Sequence, residues 1–96
     1  MSSITTTITK NPKQKPPLDK LGFARHFSDH MFTMDYSRES GWHNAAIGPF
    51  ADFTLHPASM TLHYGQAIFE GLKAYHSQDG RALLFRPEKN MERLNM

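Results

Sequence analysis

The chain has 96 residues, a formal net charge of +2 and no cysteine. This length allows one small domain with a thin core, because such a chain buries only about 60–65% of the surface that its unfolded form exposes. The lack of cysteine excludes a disulfide framework and a thiolate metal site. The sequence contains no apolar stretch long enough to span a bilayer and no apolar core of a secretory signal, so we expect a cytoplasmic protein without a membrane partner.

The positive charge is concentrated in residues 1–20, which carry +3, whereas the rest of the chain carries −1. A nucleic-acid interface needs a basic face on a folded surface or a dense basic run, and the sequence has neither. The first twenty residues also contain threonine repeats, Asn11-Pro12 and Pro16-Pro17, with few apolar side chains to bury. We therefore predict a disordered basic arm over residues 1–20, a folded domain over residues 21–96, and no nucleic-acid partner.

The elements predicted in the first half of the chain are short. Apolar and polar side chains alternate at the end of Phe27–Tyr36, which predicts a half-buried strand there. A polar turn is predicted over residues 37–41 and a loop over residues 42–49. A second short strand is predicted over residues 50–55, since the proline at position 57 keeps the residue before it out of the helical region.

The second half contains the clearest local patterns. A turn or two of helix is predicted within residues 64–71. Residues 72–76 and 81–85 flank Ser77–Gly80, and the Asp-Gly pair in this turn tolerates the positive φ that tight hairpins require. Proline is favoured at the first position of a helix, so Pro87 predicts a helix that begins there. Strands mixed with short helices, without an internal repeat, predict an α+β fold.

The six histidines suggest a metal site, but their spacing does not support one. His26 and His30 are four residues apart, which suits one face of a helix. The segment is predicted as a strand, where that spacing separates two residues by roughly 13 Å. We predict no metal site.

Arg93 is a stronger candidate for a functional residue, because it lies among apolar neighbours in the predicted helix. An inward-facing arginine commonly meets an anion, and its alternative is a packed stem with the charged head in water.

Several blocks of sequence, in the same order, resemble the branched-chain aminotransferases, which are class IV (fold-type IV) pyridoxal-phosphate enzymes. The blocks are residues 27–31, 54–59, 62–75 and 84–94, and the likeness covers about residues 21–96. The resemblance implies an incomplete amino-terminal small domain of a fold-type IV aminotransferase, of α+β class. Two other class IV enzymes, the D-amino-acid aminotransferases and the aminodeoxychorismate lyases, stay open as alternatives, and so does a non-catalytic remnant.

The resemblance also implies roles for individual residues. Arg93 falls where the family binds the phosphate of pyridoxal 5'-phosphate, a group that a planar guanidinium holds with two charge-assisted bonds. Phe23, Tyr64 and Phe69 fall where the family lines the pocket for the substrate side chain, and an aromatic wall suits a hydrocarbon. Tyr64 serves the neighbouring subunit of a homodimer in this interpretation, and its alternative is a packed core tyrosine. Arg86 falls outside the matching position and is interpreted as structural.

The implied reaction transfers the amino group of leucine, isoleucine or valine to 2-oxoglutarate. A lysine that holds the cofactor and moves the α-proton is central to it. We expect this lysine to lie beyond residue 96, since neither Lys73 nor Lys89 matches its position. No catalytic residue is therefore predicted within the chain, and the chain alone is expected to be inactive.

Overall fold

The computed structural model describes residues 3–96, and the chain forms two compact units, the first ending at Thr54 and the second spanning Leu55–Met96. Among the described residues, the first unit holds a three-stranded sheet and the second a two-stranded sheet with two short α-helices. Helices and strands thus occur together in one small chain, which confirms the predicted mixture of the two. The predicted boundary at residue 20 stays a prediction.

The first unit is built on an antiparallel pair of strands, β2 (His30–Ser37) and β3 (Gly41–Pro49). Phe32 lies opposite Ile47 and Tyr36 opposite Trp42, with a register shift between Thr33 and Asp35. The rings of Tyr36 and Trp42 are 5.1 Å apart between centroids. β2 confirms the predicted strand, and the predicted polar turn lies directly after it.

Two predictions for this unit are wrong. The segment predicted as a loop, residues 42–49, forms most of β3, because the long antiparallel pairing with β2 supplies hydrogen bonds that local propensity does not reveal. The strand predicted over residues 50–55 is absent: β3 ends at Pro49, and one further backbone bond follows, from the N–H of Phe50 to the carbonyl oxygen of Asp29 at 2.9 Å. Phe50 instead stacks on Phe27, with 5.3 Å between the ring centroids.

Some of residues 3–20 form regular secondary structure. β1 (Thr5–Thr6) pairs parallel to β3, and a 3-10 turn spans Leu18–Lys20. Between them, the backbone N–H of Thr9 donates to the His30 imidazole at 3.0 Å. This differs from the prediction of a structureless arm at these positions, because the outer edge of β3 offers unpaired backbone groups that threonine can meet as well as any residue.

The second unit contains α1 (Met60–Tyr64), a hairpin of β4 (Ala74–His76) and β5 (Ala82–Leu84), and α2 (Pro87–Leu94). The predicted hairpin and the predicted helix start at Pro87 are both confirmed. The predicted helix within residues 64–71 is wrong in position. Gly65 has a φ of 61° and ends α1 as a left-handed cap, so the glycine marks the end of the helix and not its beginning.

Burial is sparse throughout the described residues. Ala45 in β3 is 4% exposed, and it is the only apolar side chain there that counts as buried. No helix among residues 3–96 combines the length and the apolar character that crossing a bilayer requires. Each unit is therefore organised by its backbone pairing more than by a packed interior.

Candidate functional site

An ion pair joins α2 to the segment between α1 and the hairpin. Arg93 lies in the last turn of α2, and its Nε donates to Oε2 of Glu70 at 2.8 Å. One Nη of the same guanidinium donates to Oε1 of Glu70. Two parallel bonds between these planar groups make a bidentate, charge-assisted contact, which is the strongest form that an arginine–carboxylate pair takes.

Asn90 completes this cluster from one turn earlier in α2. Its Nδ2 donates to Oε1 of Glu70 at 3.2 Å and to the carbonyl oxygen of Gly71 at 2.8 Å. Residues three apart on a helix share a face, so Asn90 and Arg93 approach the same carboxylate together. The side chain of Glu70 is 7% exposed, whereas that of Arg93 is 67% exposed. The carboxylate is thus the enclosed partner and the guanidinium the accessible one.

The electrostatics of the cluster follow from these contacts. The hydrogen bond from Arg93 is the main cause that lowers the pKa of Glu70 from an ordinary 4.5 to about 2, and burial of the carboxyl opposes it. The bond from Asn90 and the positive charge of Arg93 lower this pKa further. In return, the hydrogen bond with Glu70 raises the pKa of Arg93. Both groups are therefore charged across the whole physiological pH range.

A concave surface of about 430 Å³ lies against this ion pair. Its wall consists of residues 67–71 on one side and of Arg93 and Leu94 on the other. Phe69 and Arg93, two of the predicted site residues, border the same concavity. An apolar ring and a cation therefore face one open space.

The other predicted site residues lie elsewhere. Tyr64 is the last residue of α1, in the same unit, and its side chain is 78% exposed. Phe23 belongs to the first unit, and both Phe23 and Phe69 are 94% exposed. Their role in lining a substrate pocket stays a prediction. Arg86, interpreted from the sequence as structural, has its Nε 3.9 Å from a carboxylate oxygen of Glu88.

Sequence reasoning missed Glu70 and Asn90. Glu70 is 23 positions from Arg93, so no local spacing connects them. One signal was available: Glu70 is a single carboxylate between Ile68-Phe69 and Gly71-Leu72, and an acid in an apolar run needs a partner. Asn90 could have been found from Arg93, since it lies three positions earlier on the same helix face.

The donors of Arg93 suit a phosphate group. A guanidinium has five N–H groups, and Glu70 takes two of them along the Nε side. The end formed by the two Nη atoms keeps three N–H groups on a side chain that is mostly exposed. That end is a second planar pair of donors, the geometry that binds phosphate bidentately. Among residues 3–96, no three or more histidine, cysteine, aspartate or glutamate side chains form a group that could hold a metal ion.

Curated proteins that the chain resembles include several branched-chain-amino-acid aminotransferases. The chain is 57% identical over 83 residues to branched-chain-amino-acid transaminase 1 of Bacillus subtilis strain 168, covering 86% of the chain and 23% of that protein. It is 53% identical over 93 residues to branched-chain-amino-acid aminotransferase 2 of the same strain, covering 97% and 26%. A probable branched-chain-amino-acid aminotransferase of Streptomyces coelicolor is 47% identical over 94 residues. The chain spans about a quarter of the length of these relatives. No family model matches the sequence.

Proposed function

We propose that this chain, which belongs by sequence to the branched-chain-amino-acid aminotransferases, forms part of an enzyme that transfers the amino group of leucine, isoleucine or valine to 2-oxoglutarate. The identity of 53% over 97% of the chain is the observation that carries this proposal. Pyridoxal 5'-phosphate is the proposed cofactor. The fold-type IV architecture, the homodimer and the cytoplasmic location belong to the same proposal.

Arg93 is proposed to hold the phosphate of the cofactor. Its free end presents N–H donors to solvent, and its charge is fixed by the raised pKa. When bound, pyridoxal 5'-phosphate supplies an electron sink that stabilises negative charge at the α-carbon of the amino acid. The chain itself contributes binding and orientation: a phosphate anchored at Arg93 limits how the rest of the cofactor can turn.

Phe69 is proposed to contact the substrate side chain, together with Phe23 and Tyr64. Phe69 supports this role by bordering the same concavity as Arg93. Leucine, isoleucine and valine offer only hydrocarbon to recognise, and aromatic faces bind hydrocarbon without demanding one shape. Such a pocket separates substrates that differ by one methylene by only about 1–3 kcal/mol, so one enzyme can use all three.

The role of Arg93 can be tested by replacing it in the full-length aminotransferase that contains this sequence. Arg93→Lys keeps the charge and removes the planar pair of donors. We expect the dissociation constant of pyridoxal 5'-phosphate, measured by fluorescence titration, to rise about tenfold to a hundredfold, since charged hydrogen bonds contribute about 1.5–3 kcal/mol each. The dissociation constant of pyridoxal, which lacks the phosphate, should change little.

The matched control is Arg81→Lys, another arginine bonded through Nε to a carboxylate, that of Asp79 in the hairpin turn. It should leave the dissociation constants of both cofactor forms unchanged. Equal losses for pyridoxal and for pyridoxal 5'-phosphate in Arg93→Lys would contradict a phosphate role for Arg93, and so would the absence of any loss.

A further inference from the structure

The guanidinium of Arg93 is held along one edge only. Nε and one Nη face the two carboxylate oxygens of Glu70, and both groups are planar. A single hydrogen bond would leave the guanidinium free to rotate about that bond. Two bonds to the two carboxylate oxygens restrict that rotation, so the three remaining N–H groups point away from the carboxylate.

The anchor of this arrangement is Glu70 and not Arg93. The Glu70 side chain is almost fully enclosed, and Asn90 ties it to the backbone through the carbonyl oxygen of Gly71. A free arginine side chain occupies many rotamers and loses that freedom when it is ordered. Because Glu70 already restricts that freedom, less ordering is left to occur when an anion binds.

The charge of Glu70 has the opposite effect on an anion. A carboxylate beside the guanidinium repels a phosphate dianion and weakens its binding. The two effects of Glu70 therefore predict opposite results for its removal. If orientation dominates, the loss of Glu70 weakens phosphate binding. If charge dominates, the loss of Glu70 strengthens it.

We propose that Glu70 is a positioning residue, which turns Arg93 so that its free donors receive the cofactor phosphate, with Asn90 holding Glu70 in place. This inference rests on the proposed phosphate role of Arg93. We expect the orienting effect of Glu70 to outweigh its repulsion of the phosphate, because the guanidinium of Arg93 is mostly exposed. Solvent screens the repulsion between Glu70 and an anion at the outer edge, whereas the two bonds at the inner edge still fix the direction.

The test replaces Glu70 by glutamine in the full-length aminotransferase. Glutamine keeps the size and one acceptor oxygen but loses the second acceptor and the charge. The measured quantity is the ratio of the dissociation constants of pyridoxal and pyridoxal 5'-phosphate, which reports the contribution of the phosphate alone. We expect Glu70→Gln to lower this ratio by about threefold to tenfold, the range of one net hydrogen bond. An unchanged or increased ratio overturns the proposal.

Glu92→Gln is the matched control, because it removes the same charge one residue from Arg93 on α2, where Glu92 pairs with Lys89 at 3.1 Å. It should not lower the ratio. A comparable loss in Glu92→Gln would show that the effect is not specific to the orientation of Arg93 by Glu70, and would overturn the proposal.

Two further measurements keep the test decisive. The double variant Glu70→Gln with Arg93→Lys should lose no more than Arg93→Lys alone, because Glu70 acts through Arg93; additive losses overturn the proposal. The Nε–H resonance of Arg93 in the nuclear magnetic resonance spectrum should shift in Glu70→Gln and stay in place in Glu92→Gln.

The outcomes separate this inference from the proposed function. If Arg93→Lys lowers the ratio and Glu70→Gln does not, the phosphate role of Arg93 stands and positioning by Glu70 is wrong. If Arg93→Lys leaves the ratio unchanged, both are wrong. A Glu70→Gln variant that failed to fold would lose affinity for pyridoxal as well; Asn90→Ala, which removes one bond to Glu70, then takes its place and should lower the ratio by a smaller factor.

Discussion

Glu70 and Asp79 both pair with an arginine through Nε, yet the two pairs differ in burial. Asp79 and Arg81 are both largely exposed at the hairpin turn, and solvent screening leaves an exposed pair of this kind with little effect on stability. Glu70 is enclosed and is satisfied by three donors from α2. The enclosed carboxylate of Glu70 stays charged only while its hydrogen-bond partners are in place. We therefore expect a substitution of Glu70 to affect stability more than a substitution of Asp79.

The pKa of Glu70 gives a prediction with a definite sign. The folded value of about 2 lies below the ordinary 4.5, so the ion pair contributes stability that is fully present above pH 4.5. That contribution is lost as the pH falls from 4.5 through 2, when the carboxyl takes up its proton. We expect a titration of the Glu70 carboxyl carbon by nuclear magnetic resonance to show its midpoint near pH 2.

The control for this titration is Arg93→Ala, which removes the main cause of the lowered pKa. The midpoint should then move upward toward 4.5. A midpoint close to 4.5 in the unaltered protein would show that the pair does not form in solution.

At the scale of elements, the sequence correctly predicted those structures that depend on residues close together in the chain. The hairpin over β4 and β5 follows from the Asp79-Gly80 turn, and the start of α2 follows from Pro87, because both signals lie within the element itself. The position of β3 could not be predicted in this way. It depends on pairing with β2, a contact that the local pattern of residues 41–49 did not reveal.

The residues of the candidate site also differ in whether local sequence could identify them. Arg93 could be identified from its apolar neighbours and from the family resemblance, which lie in one stretch of sequence. Its partner Glu70 could not, since the contact between them forms only when the chain between α1 and the hairpin folds back beside α2. The resemblance gave the expected role of Arg93, whereas only the structure shows how its guanidinium is held.

The turn between β4 and β5 requires a glycine, which gives a prediction at the scale of elements. Gly80 has a φ of +85°, a conformation that side chains of L-residues rarely adopt. Gly80→Ala should destabilise the protein by about 1–2 kcal/mol, as measured by urea unfolding, because the added Cβ is strained in this region. Gly71→Ala serves as the control: no positive φ constrains Gly71, and the added Cβ would meet nothing within 4 Å. Equal losses in the two variants would contradict a special need for glycine at the turn.

At the scale of the whole molecule, the notable feature is exposure. Aromatic and aliphatic side chains such as Phe23, Ile68, Phe69 and Phe85 are mostly open to solvent in the described residues. Stable monomeric proteins rarely leave so much apolar surface uncovered, and surfaces of this kind serve as contacts with further protein. This supports the proposal that the chain acts as part of a larger aminotransferase.

The proposed activity is tested most directly by the first half of the reaction. The full-length enzyme, loaded with pyridoxal 5'-phosphate, would be mixed separately with leucine, isoleucine, valine and D-alanine while the absorbance of the cofactor is followed. The three branched-chain amino acids should each convert the cofactor to its amino form, which 2-oxoglutarate then reverses, and D-alanine should not. Conversion by D-alanine without conversion by leucine would contradict the assignment.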